Sequence, residues 1–263
     1  MQEKPPHVLA IGSFAVHGTA SLKTFITILG EKILPVPSLL LNGLTNMSLV
    51  KKFETPFRDL LLSSFELAAN RDLELILYIG YLGNAAQPEI ILEIIDTFRG
   101  NIKTIITDPV CGDHGRIYVS PGVIDGWPAI IQRSDIVFPN LTELKLLAGF
   151  DLTDDQPFSI YAGQFQKLYP LAKLVLTSAV KDEQTGIVSF DKDPFEYWHE
   201  LLPKSFGGSG DVFVALFILN HFYRGNSFNE ALKLAADQTH RIIENSIKQH
   251  SDHLVLEIIE QPI

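Results

Sequence analysis

The 263-residue chain carries 21 Lys and Arg against 31 Asp and Glu, a formal net charge of −10. Its 46% hydrophobic and 20% charged residues fit a globular protein long enough to bury a sizeable core. Scattered basic residues under a net negative charge exclude a nucleic-acid-binding stripe, and no apolar run approaches the roughly 20 residues needed to span a bilayer.

Residues 1–6, Met-Gln-Glu-Lys-Pro-Pro, hold no apolar signal segment. The single cysteine, Cys111, excludes an internal disulfide. The expectation is a cytoplasmic protein with no membrane and no nucleic-acid partner. A phosphate handled by so acidic a chain must be met locally, by backbone amides and a metal.

Short apolar, β-branched runs at 7–11, 33–36, 73–79, 104–107, 135–138 and 171–177 predict strands. Helical spacing occupies 21–29, 57–69, 87–98, 141–147 and 162–168. Strands alternating with helices predict an α/β fold, a three-layer α/β/α sandwich around a mostly parallel sheet. No repeat or linker-like break divides the chain, so residues 1–263 are read as a single domain. Towards the C-terminus, 186–190 and 195–198 alternate as antiparallel strands around the turn Asp191-Lys192-Asp193-Pro194. Helices are expected near 211–223 and 228–245, and 254–259 reads as an edge strand. Sites in open α/β sheets lie beyond the carboxyl ends of the strands, so the residues that follow each strand are the candidates.

The strongest local signal is Gly207-Gly208-Ser209-Gly210-Asp211 ahead of an apolar helix. A glycine-rich turn opening a helix leaves amides free and aims the positive end of the dipole at one point, which suits a phosphate or a developing anion. An acid there is also an ordinary helix cap, but three glycines in four positions exceed what a cap requires. After the strand at 104–107 comes Asp108-Pro109-Val110-Cys111-Gly112-Asp113; Asp108 is the candidate for Mg²⁺ or a phosphate tail, and Asp113 reads as a solvated turn residue. After 135–138 comes Pro139-Asn140-Leu141-Thr142-Glu143, which has the form of a capping box and places a third acid past a strand. Thr177-Ser178 closes the strand at 171–177 and alone means little.

In that order, these motifs resemble the ribokinase-like superfamily, nearest its vitamin kinases, pyridoxal kinase and hydroxymethylpyrimidine kinase. Tyr81-Leu82-Gly83-Asn84-Ala85-Ala86-Gln87 is similar to the Gly-Tyr-Leu-Gly-Ser segment of bacterial pyridoxal kinases. The resemblance spans nearly the whole chain. It implies an ATP-dependent phosphotransferase acting on the 5′-hydroxymethyl group of pyridoxal, pyridoxamine or pyridoxine, with Asp211 as base and the amides of Gly208, Ser209 and Gly210 as an anion hole. Asp108 and Glu143 would position Mg²⁺, through water, and the nucleotide phosphates. Asn140, Thr177 and Ser178 would contact ATP, and Ser13, Thr45 and Tyr81 would face the vitamin ring. The resemblance also implies a homodimer, and leaves open a monovalent cation.

Two departures fall at the substrate end: Leu44 stands where the family carries a histidine, and Leu22-Lys23-Thr24-Phe25 echoes the hydroxymethylpyrimidine kinases. That kinase, or a non-catalytic binding protein with the same pocket, remains the alternative. A sugar kinase would need more room for a lid than 33–46 provides, and a dinucleotide oxidoreductase would need a Gly-x-Gly-x-x-Gly turn where the chain reads Gly12-Ser13-Phe14-Ala15-Val16-His17. The 8 histidines show no metal-ligand spacing, so no zinc site is expected; His17 and Cys111 read as structural.

Overall fold

A computed structural model describes residues 5–45, 47–191 and 193–256. Its centre is a nine-stranded sheet in the order β11-β10-β9-β8-β5-β4-β1-β2-β3. The strands are β1 His7–Ala15, β2 Ile33–Leu41, β3 Lys52–Phe53, β4 Leu75–Ile79, β5 Ile102–Thr107, β8 Ile136–Val137, β9 Lys173–Lys181, β10 Gln184–Ser189 and β11 Phe195–Glu200. β6 Gly112–Asp113 and β7 Arg116–Ile117 form a separate hairpin. The run from β9 to β2 is parallel, while β3, β10 and β11 are antiparallel additions at the two edges.

Side-chain alternation along the strands builds two cores. Leu9, Ile11, Leu75, Leu77 and Ile79 face one layer, which holds α2 Phe57–Asn70, α3 Gln87–Phe98, α4 Pro121–Ile131, α5 Leu141–Leu147 and α6 Phe158–Leu168. Val8, Ala10, Ile76 and Tyr78 face the other, with α1 Leu22–Leu29, α7 Ser209–Ile218 and α8 Phe228–Lys248. The expected three-layer sandwich is therefore present. Its order reverses direction at β1, whose neighbours are β2 and β4, and that reversal opens a crevice at the carboxyl ends.

Several elements differ from expectation. The helix α4 escapes the hydrophobic pattern because it contains Gly122, Gly126 and Pro128, yet Trp127 at its centre is fully buried. β2 runs to Leu41 despite Pro35 and Pro37, because β3 pairs only with Leu40 and Leu41 and the remainder of that edge needs no N–H donor. β9 does not end at Thr177-Ser178 but passes through it. Helix α7 stops at Ile218 in a wide π turn, Leu219–Tyr223. Of the edge strand expected at 254–259, residues 254–256 are not in a strand and the rest lie outside the described residues.

Packing between α3 and α4 gives a test. A Cβ at Gly126 would run into the ring of Pro88 at the start of α3. Alanine normally gains about 1 kcal/mol over glycine inside a helix, but overpacking a rigid contact costs about 1–3 kcal/mol. Gly126→Ala is expected to lower stability by about 1 kcal/mol net in urea unfolding; a stabilised variant would show that the two helices can move apart freely.

Candidate active site

The carboxyl ends of the parallel strands open into a cavity of about 670 Å³. The nucleus of its polar side is Asp211, in the first turn of α7. The turn before it depends on Gly208, which sits at φ 91°; a Cβ there would lie 2.8 Å from Ala20 Cβ and 3.1 Å from Thr19 O. The glycine therefore lets the loop after β1 rest directly on the N-terminus of α7. Across that contact, the Ser21 N–H donates to Asp211 Oδ2 at 2.8 Å. Ser21 itself holds φ 48°, an uncommon conformation for a non-glycine residue, and is buried.

Two further acids share the cavity. Asp108 follows β5, its amide bonded to Ile79 O at 2.9 Å. The Tyr78 hydroxyl, on β4, lies 3.5 Å from both Asp108 Oδ2 and Asp211 Oδ1. One hydroxyl proton can serve only one carboxylate at a time, so the two acids compete for it. Glu143 completes the capping box of α5: Asn140 Oδ1 accepts the Glu143 N–H at 3.1 Å, and Glu143 Oε2 accepts the Asn140 N–H at 2.9 Å. Its Oε1 takes the Cys111 N–H at 3.1 Å, while Asn140 Nδ2 donates to Gly112 O at 2.8 Å. The cap thus also fixes the loop that carries Asp108.

Burial dominates the electrostatics. It pushes Asp211 up to about 6, against the pull of the Ser21 and Tyr78 hydrogen bonds. Glu143 rises to about 8 by burial, opposed by the backbone N–H groups of Asn140, Cys111 and Gly112. Asp108 is raised well above the carboxylate range by burial and then by the charges of Glu143 and Asp211. Along the described lining, Asp108, Asp113, Glu143 and Asp211 face a single basic residue, Lys52. Buried acids with so little positive charge suit a hard divalent cation held by oxygen ligands, so the donor set fits Mg²⁺ at Asp108 and Glu143.

Thr177 and Ser178 sit at a bulge of β9, where those two residues oppose Ile187 alone; Ser178 adopts φ 52°. Thr177 Oγ1 donates to Pro139 O at 3.3 Å, and both residues line the cavity. Both also line an adjoining cleft of about 100 Å³, shared with Ser209 and Gly210, that reaches His199 and His240. Those two rings stack at 4.5 Å, and burial followed by the His240 charge lowers the His199 pKa.

At the opposite end stand Ser13, Thr45 and Tyr81. Tyr81 is placed by buried Gln87, which accepts the Gly83 N–H at 2.7 Å and donates to Ser38 O at 2.8 Å, while Ser38 Oγ donates to Tyr81 O at 2.6 Å. All the site residues expected from the sequence therefore line one cavity. Asp113 lines its lip and is half-exposed, as a turn acid would be.

The sequence did not point to Ser21 and Tyr78, nor to the apolar wall of Leu41, Leu44, Met47 and Val50. Tyr78 reads as a core residue of its strand, which its ring is; only its hydroxyl belongs to the site. Leu44 is buried against Gly18. Cys111 is buried, and burial drives its thiol pKa upward, in keeping with a packing role.

A carboxyl group with a raised folded-state pKa stabilises the fold while protonated and loses that contribution as pH rises through the folded value. Without Mg²⁺, Asp108→Asn is therefore expected to stabilise the protein by roughly 0.5–2 kcal/mol at pH 8, with the gain shrinking towards pH 5. Thermal unfolding at the two pH values checks this. Destabilisation at pH 8 would mean that Asp108 is compensated by a partner.

The phosphomethylpyrimidine kinase family model matches residues 60–257. Pyridoxal kinase PdxY of Rubrobacter xylanophilus is 30% identical over 190 residues, 67% of this chain, and the match spans 64% of that relative's length, just under two thirds. Among solved structures, pyridoxal kinase from Lactobacillus plantarum superposes with a TM-score of 0.83 at 21% identity, covering 96% of this chain and 94% of that one. Pyridoxal kinase from Leishmania donovani in complex with ADP and pyridoxamine gives 0.78 at 21% identity, over 95% and 90% of the two chains. With its nine-stranded sandwich, the chain belongs to the phosphomethylpyrimidine kinase family and has the ribokinase-like fold.

Proposed function

We propose that residues 1–263 act as one kinase domain that transfers the γ-phosphoryl group of ATP to the 5′-hydroxymethyl group of a B6 vitamer. The observation that carries this reading is the placement of Asp211 beside the Gly208–Gly210 turn, in one cavity with Asp108 and Glu143. Phosphoryl transfer needs alignment and charge neutralisation more than covalent help from the protein. Asp211 takes the alcohol proton as the new bond forms, and an acid at about 6 is ionised and ready at neutral pH. The first amides of α7, at Ser209 and Gly210, meet the charge of the moving phosphoryl group.

Bound Mg²⁺ supplies charge neutralisation at the phosphates; Asp108 and Glu143 are the groups to hold it through water. Asn140, Thr177 and Ser178 border the nucleotide, whose base fits the cleft at His199 and His240. Ser13, Thr45 and Tyr81, with the apolar wall of Leu41, Leu44, Met47 and Val50, border the ring. A monovalent cation beside the phosphates is compatible with the acid excess.

The single buried thiol fits a cytoplasmic protein, and no described helix is long and apolar enough to cross a membrane. A homodimer is supported by the β3 edge of the sheet, where Leu49 is 89% and Phe53 51% exposed. The match to the phosphomethylpyrimidine kinase family favours hydroxymethylpyrimidine as the second candidate acceptor.

Purified protein with Mg²⁺-ATP is expected to phosphorylate pyridoxal, pyridoxamine or pyridoxine faster than hydroxymethylpyrimidine, followed as ADP and phosphorylated product. Preference for the pyrimidine would move the reading to the second acceptor, and no turnover with any of them would leave a binding protein. Asp211→Asn should lower kcat by about 100-fold or more; near-full turnover would remove Asp211 as the base. For the wild type, kcat/KM should fall as pH drops through about 6. Tyr78→Phe should move that acid limb to higher pH, because the hydroxyl favours the charged carboxylate. An unmoved limb would separate Tyr78 from the titration of Asp211.

A further inference from the structure

Outside the cavity, one group of side chains has no part in phosphoryl transfer. The loop after β1 and the segment after α8 meet at His17, Asp252 and His253. Their ligand-capable atoms all lie within 4.8 Å of one another. His17 and His253 approach edge to face, with ring centroids 5.7 Å apart. His253 Nδ1 and Asp252 Oδ1 are 2.8 Å apart. Sequence spacing hides this group, because 236 positions separate His17 from His253 (253 − 17).

Both halves of the group are held in place by the fold. Leu254 and Leu256 are buried in the core beside α8. Val255 donates its N–H to Ser246 Oγ at 3.0 Å, and Lys204 Nζ donates to Ser251 O at 2.6 Å. Ser251 Oγ accepts the His253 N–H at 3.2 Å and donates to His253 O at 2.7 Å, forming a tight turn that fixes the backbone of His253. On the other side, the His17 N–H donates to Asn42 O at 3.3 Å, and Lys23 Nζ donates to Val16 O at 3.1 Å.

We infer that His17, Asp252 and His253 form a binding site for a transition-metal dication of the Zn²⁺ type, separate from the Mg²⁺ site and bridging the rim of the cavity to the C-terminal segment. Two imidazoles and a carboxylate are a borderline-soft donor set, preferred by Zn²⁺ over the hard Mg²⁺. Neighbouring ligands of a tetrahedral Zn²⁺, each at about 2.0–2.1 Å, stand roughly 3.3 Å apart. The observed limit of 4.8 Å then closes by about 1.5 Å at most, within the reach of exposed His17 and Asp252 turning about their side-chain bonds. Water takes the fourth position, because three protein ligands leave the site open. The bound ion ties down the 16–21 loop, which carries Ser21 to Asp211, and links it to the chain beyond α8.

The test uses the full chain, stripped with EDTA, in buffer free of Mg²⁺ and nucleotide, titrated with Zn²⁺ by calorimetry and with Co²⁺ by visible absorption. One ion per chain is expected, with intense Co²⁺ bands of a four-coordinate site and a Tm that rises with Zn²⁺ concentration. His17→Ala and His253→Ala should each weaken Zn²⁺ binding by at least the roughly 10- to 100-fold that loss of an outer partner costs. Asp108→Asn and His114→Ala should bind as the wild type does. His114 follows Asp113, making an Asp-His pair like 252–253 but outside the group. Circular dichroism in EDTA confirms that each variant folds. Unchanged Zn²⁺ affinity in both His17→Ala and His253→Ala, or its loss in Asp108→Asn, would overturn the inference, as would wild-type protein that binds no Zn²⁺.

Discussion

The structure turns on holding Asp108, Glu143 and Asp211 in one cavity with little positive charge nearby. In water, three carboxylates ionise near their ordinary values; here burial raises all three, and for Asp108 the neighbouring charges add to it. Such an arrangement persists only where the surroundings over-determine it. Each acid is anchored by a different element: Asp211 by the helix start of α7 and the Ser21 N–H, Glu143 by its own capping box, and Asp108 by the end of β5. The anchors are also linked, because Glu143 accepts the Cys111 N–H of the loop that carries Asp108 and the Tyr78 hydroxyl reaches both Asp108 and Asp211. The sheet sets the spacing, because Asp108 follows the end of β5 while Glu143 and Asp211 lie in the first turns of α5 and α7, which start on the same side.

The same constraint explains why the backbone conformations at the site are unusual. Ser21 and Ser178 have positive φ, and Gly208 is left-handed. Each lies where the chain must turn sharply to bring a polar group to the cavity while the residues before and after it pack in the core. The cost is carried by two hydrophobic layers that bury both faces of the sheet. Tyr78 shows how closely core and site are joined: its ring packs 4.2 Å, centroid to centroid, from Phe25 in the α1 layer, while its hydroxyl reaches two acids.

Much of this architecture was legible in the sequence, for a physical reason. Parallel strands buried on both faces are near-continuous β-branched runs, and the helices between them keep a 3.6-residue period, so the α/β order appears without long-range information. The acids at 108, 143 and 211 were legible because strand ends and glycine-rich turns are local features. What was not legible is non-local. Helix α4 is hidden because Gly126 is chosen for its contact with Pro88, not for helix propensity. The bulge at Thr177-Ser178 depends on pairing with β10. The hold of Ser21 on Asp211 spans 190 residues of sequence, and no spacing rule points to it.

The end of the cavity at Ser13, Thr45 and Tyr81 follows the same logic. Strands β1 and β2 continue past the end of β4, and with β3 they raise a small flap over the cavity from residues that look like plain strand and turn. Its inner face is apolar through Leu41 and Leu44, both buried. A buried leucine offers no hydrogen-bonding group and leaves a surface that reads the face and size of a ring more than its polar edge. Apolar pockets discriminate only modestly between ligands that differ by a small group, whereas hydrogen-bonding sites reject a missing partner strongly. If the cavity serves the proposed reaction, selection among ring substrates rests on Ser13, Thr45 and the backbone around Tyr81, while the acids Asp108, Glu143 and Asp211 are indifferent to which ring brings the alcohol.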